Sequence, residues 1–80
     1  MFKKNGYEVV PEFKWVEYSE NGKTIHIDVE PGVGVPSLVN LPGSERWQKE
    51  MPDWAKNRRE EIIERIKAKC DHLDWEWKEY

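Results

Sequence analysis

Cysteine is almost missing from this sequence of 80 residues, in which Cys70 is the single one. No disulfide can therefore form within the chain, as is typical of proteins from a reducing compartment. The sequence has no apolar stretch near the roughly 20 residues that a membrane-spanning helix needs. Its beginning, MFKKNGYEVV, lacks the apolar segment of a secretion signal. We therefore expect a cytoplasmic protein that does not bind membranes.

The chain also lacks an excess of basic residues. The chain has 13 lysine and arginine residues against 16 aspartate and glutamate residues, a net charge of -3. This balance argues against a general nucleic-acid binder. A hydrophobic content of 38%, with five tryptophans, is too high for a disordered chain. We expect residues 1–80 to form a single domain with one modest core and no large enclosed active site.

Residues 53–73 have the strongest helical periodicity in the chain. Their apolar stripe consists of Ala55, Ile62, Ile63, Ile66, Cys70 and Leu73. Asp53 is placed to cap the N-terminus of one long helix. Arg58 and Glu61, and then Glu61 and Arg65, have the spacing of favourable ion pairs. The segment has six basic and five acidic residues, which indicates a solvated surface rather than a helix that binds nucleic acid.

The dipeptide Asn21-Gly22 separates two segments, residues 13–19 and 23–30, in which apolar and polar residues alternate. Both residues tolerate the positive φ of a type I′ turn, so the pattern predicts a two-residue β-hairpin. The expected cross-strand pairs are Glu20–Lys23, Tyr18–Ile25, Val16–Ile27, Trp15–Asp28 and Phe13–Glu30.

This register divides the hairpin into two faces. One face, which we assign to the core, carries Val16, Tyr18, Ile25, Ile27 and Val29. The other carries Phe13, Trp15, Glu17, His26, Asp28 and Glu30. Two interpretations of this second face stay open. Either the N-terminal segment or another element covers its two aromatic side chains, or they form an exposed, acidic patch that binds a partner.

Shorter elements complete the expected fold. The predicted elements are strands at 7–10 and 73–79 and a short helix at 45–50. The prolines and glycines of residues 31–43 predict a loop, which contains a short strand at 37–41. Residues 1–6 are expected to be frayed. We expect Ser44 to cap the short helix, Trp47 to point inward, and the last strand to lie beside the hairpin. The fold class is then α+β, a small antiparallel sheet (hairpin plus C-terminal strand) packed against one main helix.

No residue pattern in the sequence predicts catalysis or metal binding. Cys70, Asp71 and His72 are adjacent, but neighbours along a helix point in different directions, so neither a zinc site nor a cysteine nucleophile is expected. The three carboxylates of the second hairpin face have the oxygen ligands that a divalent cation prefers. We interpret them as an ordinary solvated surface. We therefore predict a protein that is not an enzyme and needs no metal or cofactor.

Several segments together form a familiar pattern: the hairpin from Val16 to Glu30, residues 44–47, 60–66 and 73–77. With its hairpin ending in a glutamate, its Ile-Ile helix and its terminal strand, the chain resembles one group of small immunity proteins from bacterial polymorphic toxin systems. The resemblance covers about residues 13–78. It implies a non-enzymatic cytoplasmic inhibitor that binds a cognate toxin domain and blocks its active site. It brings no fixed functional residues.

We therefore expect a protein-binding module, and we assign the contact surface to the second hairpin face. An acidic surface suits a basic toxin domain, because opposite charges speed association. The alternative is a structural or regulatory subunit, such as a homodimer or an accessory protein of a bacterial or phage complex. An exposed C-terminal strand edge can support pairing with a second copy. The chain is expected to be a monomer or a weak homodimer.

Overall fold

The computed structural model describes residues 6–80. Its elements are β1 (Tyr7–Pro11), β2 (Trp15–Glu20), β3 (Lys23–Glu30), β4 (Ser37–Leu41), α1 (Ser44–Glu50), α2 (Asp53–Lys56), α3 (Arg59–Cys70) and β5 (Trp75–Glu79). The predicted α+β class is confirmed. The frayed N-terminus that we expected lies mostly in residues 1–5, outside the described residues. Within residues 6–80, no helix is long and apolar enough to cross a membrane.

The β2–β3 hairpin forms as its turn sequence predicts. Asn21 and Gly22 both have positive φ, 52° and 77°, which the type I′ turn requires. Four predicted cross-strand pairs are confirmed: Glu20–Lys23, Tyr18–Ile25, Val16–Ile27 and Trp15–Asp28. The turn therefore sets which side chains of both strands face the core.

The fifth predicted pair, Phe13 opposite Glu30, is wrong. Strand β2 begins at Trp15, and Phe13 lies in the connection from β1. That connection is tight, because the Glu12 amide donates to the Trp15 carbonyl at 2.8 Å. The chain has to reverse direction between two antiparallel strands, so Phe13 cannot continue the β2 ladder.

The five strands form one sheet in the order β1-β2-β3-β4-β5. The first three pairings are antiparallel. Strand β5 pairs in parallel with β4, placing Trp77 opposite Val39. The expectation that the last strand lies beside the hairpin is therefore wrong, and the sheet is mixed. Three helices separate β4 from β5 and return the chain to the end of the sheet where β4 begins, as a parallel crossover requires.

The predicted long helix is broken into α2 and α3 at residues 57–58. In a continuous helix, the carbonyls of Ala55 and Lys56 would accept from amides four residues further on. Here the Trp47 indole Nε1 donates to the Ala55 carbonyl at 2.8 Å, and the Gln48 amide donates to the Lys56 carbonyl at 2.6 Å. The Ala55 carbonyl also accepts from the amide of Arg58, three residues further on, at 3.1 Å, and the helix restarts at Arg59.

Both predicted helix caps are wrong by one residue. Asp53 and Ser44 are the first helical residues, and the capping positions are held by Pro52 and Gly43, which make no side-chain capping hydrogen bond. The Asp53 carboxylate is almost fully exposed and lies 3.4 Å from the ammonium group of Lys56. A negative charge in the first turn still favours the helix through its dipole.

The core lies between one face of the sheet and the helices. The buried strand residues are Val9, Val16, Tyr18, Ile25, Ile27, Val29, Val39 and Leu41, and the helical ones include Trp47, Ala55, Ile62, Ile63, Ile66 and Cys70. The predicted inward position of Trp47 is confirmed, since its side chain is fully buried. Buried and exposed residues alternate along β3. All the helices therefore pack on one face of the sheet and leave the other face open.

Candidate functional site

The open face of the sheet is the surface that no helix covers. The cross-strand pairing places on it five carboxylates, those of Glu8, Glu17, Asp28, Glu30 and Glu76. Lys78 is the single lysine at the strand positions of this face. Neighbouring polar and apolar positions are Val10, Ser19, Thr24, His26, Leu38 and Asn40. The surface is therefore acidic with an apolar component.

Trp15 forms the aromatic centre of this open face. Its ring stacks on the imidazole of His26 with 5.5 Å between ring centroids. Its indole Nε1 donates a hydrogen bond of 3.1 Å to the Glu17 carboxylate. The same carboxylate lies 3.7 Å from Nε2 of His26. These contacts hold the indole in one orientation, although the residue is 38% exposed.

Phe13 lies just before β2, in the connection from β1. It is 75% exposed, so no element of residues 6–80 covers it, whereas the predicted coverage by the N-terminal segment falls mostly on residues 1–5, outside the described residues. Phe13 belongs to the connection between β1 and β2, whereas Trp15 is anchored in the ladder.

The remaining predicted site residues lie on β3 and are exposed. Asp28 pairs with Trp15 on one side and with Asn40 on the other. The Asn40 amide donates to the Glu30 carboxylate at 3.3 Å. Among residues 6–80, no three histidine, cysteine or acidic side chains converge as metal ligands. The carboxylates are spread over the face as separate charges, an arrangement suited to a macromolecular surface rather than to one ion.

A second polar cluster, which the sequence did not predict, lies on the helix-covered side. Glu20 is only 8% exposed. Its carboxylate accepts two hydrogen bonds from the Arg58 guanidinium, one of them 2.9 Å long. It also accepts from the Tyr18 hydroxyl at 2.6 Å, and that hydroxyl accepts from Arg65 at 2.7 Å. The predicted pairs of Glu61 with Arg58 and Arg65 are confirmed, at 2.9 and 2.8 Å.

The electrostatics of this cluster follow from its contacts. The hydrogen bonds from Arg58 hold the pKa of the Glu20 carboxyl below its usual value, against the effect of burial. Burial, and then the hydrogen bond to Glu20, raise the pKa of the Tyr18 hydroxyl. The cluster joins the end of β2 to the start of α3. We interpret it as the tie that fixes the hairpin, and with it the open face, relative to the helices.

A signal for this cluster was present in the sequence. Glu20 has the same strand parity as Val16 and Tyr18, which places it on the core side. A carboxylate at such a position needs a buried partner, and the adjacent basic pair Arg58-Arg59 lies at the start of the helix.

Comparisons with known proteins identify no relative, since no family model, curated protein or solved structure matches the chain.

Proposed function

We propose that this chain is a non-enzymatic protein-binding module whose open face binds a basic protein surface, in the manner of an immunity protein that inhibits a toxin domain. One observation carries the proposal. The face that the helices leave uncovered presents an ordered tryptophan, Trp15, surrounded by carboxylates. An uncovered sheet face that carries an aromatic side chain among carboxylates is suited to contact with another protein.

The aromatic component supports a binding role through its energetics. Tryptophan is enriched among the few interface residues that account for most of the binding free energy, because it buries a large area with little loss of side-chain entropy. Trp15 is already held by His26 and Glu17, so little further ordering is needed when a partner covers it.

The charge of the face specifies the chemistry of the partner. Five carboxylates and one lysine on the strand positions create a negative potential. Such a surface attracts a basic partner, raises the association rate and makes binding sensitive to salt. Toxin domains that act on nucleic acid have basic surfaces, and an acidic inhibitor can compete with the nucleic acid for such a surface.

A growth-rescue experiment tests this function. The open reading frame directly upstream of this chain's gene is expressed in a bacterial host, with and without this chain. We expect the neighbour to arrest growth and the chain to restore it. Asp28→Lys, which reverses an exposed charge on the open face, is expected to reduce rescue. The control Glu64→Lys makes the same change at an exposed position on α3 and is expected to leave rescue intact.

Two results would contradict the proposal. The first is a harmless neighbour, or a failure of rescue although both proteins are soluble. The second is equal rescue by wild type and Asp28→Lys, together with a loss of rescue in Glu64→Lys. The second result would move the contact surface to the helices.

A further inference from the structure

Strand β5 offers a second candidate contact surface at its outer edge, which shares only the side chains of Glu76 and Lys78 with the open face. Its Trp75–Glu79 segment pairs with β4 on one side, and within residues 6–80 no strand pairs with its other side. We propose that this edge binds β5 of a second copy of the chain in an antiparallel pair centred on Trp77. The result is a symmetric dimer with one continuous sheet.

The backbone of β5 shows which of its polar groups are available. The Tyr80 amide donates to the Leu41 carbonyl of the β4 side at 3.0 Å. Since backbone groups alternate in direction along a strand, the even-numbered residues of β5 bond to β4 and the odd-numbered residues point away. The amides and carbonyls of Trp77 and Glu79 are therefore directed at the free edge. A two-fold axis at Trp77 makes a hydrogen-bonded pair of the two Trp77 residues.

The charges of β5 select this register. With the axis at Trp77, Glu76 of one copy lies opposite Lys78 of the other, and this pair occurs twice by symmetry. These positions form a non-hydrogen-bonded pair, in which the side chains are closest and opposite charges stabilise the sheet. An axis at residue 76 instead places two Glu76 side chains together, and an axis at residue 78 places two Lys78 side chains together. Like charges directly opposite each other destabilise such pairs.

The side chains on the helix side of β5 favour the same arrangement. Trp75 and Trp77 are only partly buried against the core, and their rings lie 6.0 Å apart. The Lys67 ammonium lies 5.5 Å from the centroid of the Trp77 ring. In the proposed dimer each Trp77 faces its symmetry mate, so part of the exposed surface of the two indole rings becomes buried. Edge strands of soluble proteins commonly carry a lysine that opposes such pairing, but in this register Lys78 meets a carboxylate.

The test uses charge reversal and needs no partner protein. Sedimentation equilibrium measures the mass of the full chain up to about 1 mM, where even a weak dimer forms. For the wild type we expect the mass to rise with concentration from 9.6 kDa toward twice that value. Glu76→Lys and Lys78→Glu each place like charges opposite each other and are expected to remain monomers. Circular dichroism checks that each variant is folded.

Mixing the two variants gives the decisive result. A copy with Glu76→Lys and a copy with Lys78→Glu have opposite charges at both cross-strand positions, so the mixture is expected to form a heterodimer. The double variant with both substitutions is expected to dimerise alone. A wild type that remains monomeric at every concentration overturns the proposal. A dimer that both single variants still form overturns it as well. Neither result bears on the open face, which growth rescue tests separately.

Discussion

Removing the charge of Glu20 is the sharpest test of how the hairpin is fixed to the helices. In Glu20→Gln the side chain keeps its shape, but Arg58 and Arg65 lose their shared carboxylate. Breaking a fully buried ion pair costs about 3–5 kcal/mol, and an exposed pair is worth about 0–1 kcal/mol. Glu20 is buried, whereas the two arginine side chains are 30% and 29% exposed. We therefore expect a loss of about 2 kcal/mol in the free energy of unfolding.

The loss should depend on pH in a definite direction. The pKa of Glu20 is lower in the folded chain than its usual value, mainly because Arg58 donates to its carboxylate. The unfolded state therefore binds more protons in acid, and the contribution of Glu20 to stability falls as the pH falls. The contribution of Glu20 is complete above the ordinary glutamate pKa of about 4.3. It is lost as the pH falls from there through the lower pKa that Glu20 has in the folded chain. Glutamine does not titrate, so wild type and variant converge in acid.

Urea unfolding, followed by circular dichroism at pH 7 and in steps down to pH 3, measures both effects. Glu64→Gln, at an exposed position of α3, is the matched control and is expected to change stability by less than about 0.5 kcal/mol. Either of two results would refute the reasoning: a loss below about 0.5 kcal/mol at pH 7, or a difference from wild type that stays constant into acid.

Two further substitutions test the packing. Gly32→Ala brings a Cβ to 2.2 Å from the Val35 carbonyl oxygen, so the 31–36 loop must shift, and we expect the free energy of unfolding to fall by about 1–3 kcal/mol. Val33→Ala, at the exposed neighbouring position, should have almost no effect, and an equal effect of the two substitutions would contradict the close approach at Gly32. Ile66→Ala leaves a cavity at a fully buried site of α3 and is expected to lower the free energy of unfolding by about 2–5 kcal/mol, whereas Lys69→Ala on the exposed side should be nearly neutral. Chemical denaturation measures both variants, and a loss below about 1 kcal/mol for Ile66→Ala would show that this site is not in the core.

The hairpin was predictable because its determinants are local. The two residues Asn21 and Gly22 set both the turn and the register, and alternation then assigned the core face. The strand at residues 37–41 and the buried Trp47 were also predicted, since turn residues and aromatic size indicate them directly. For these elements, the information needed lies within a few residues of each position.

The errors arose where distant contacts decide the structure. The break at residues 57–58 depends on hydrogen bonds from Trp47 and Gln48, which helical periodicity does not reveal. The position of β5 follows from the crossover through the helices, and a strand pattern alone does not identify its neighbour. Phe13 had the alternation of a strand residue, but the turn from β1 removed it from the ladder. Five of the six predicted site residues are nevertheless on the open face, and Phe13 lies in the connection before β2.

The affinity of Trp15→Ala for the product of the upstream reading frame is the most direct test of the central claim. Isothermal titration calorimetry with both purified proteins gives the Kd. Loss of a hot-spot tryptophan costs about 2 kcal/mol or more, so we expect a Kd at least about 30-fold higher. The thermal midpoint should stay near that of wild type, because Trp15 lies outside the core. Val35→Ala, at another exposed apolar position, is expected to bind like wild type. An unchanged Kd for Trp15→Ala, with binding intact, would contradict the account.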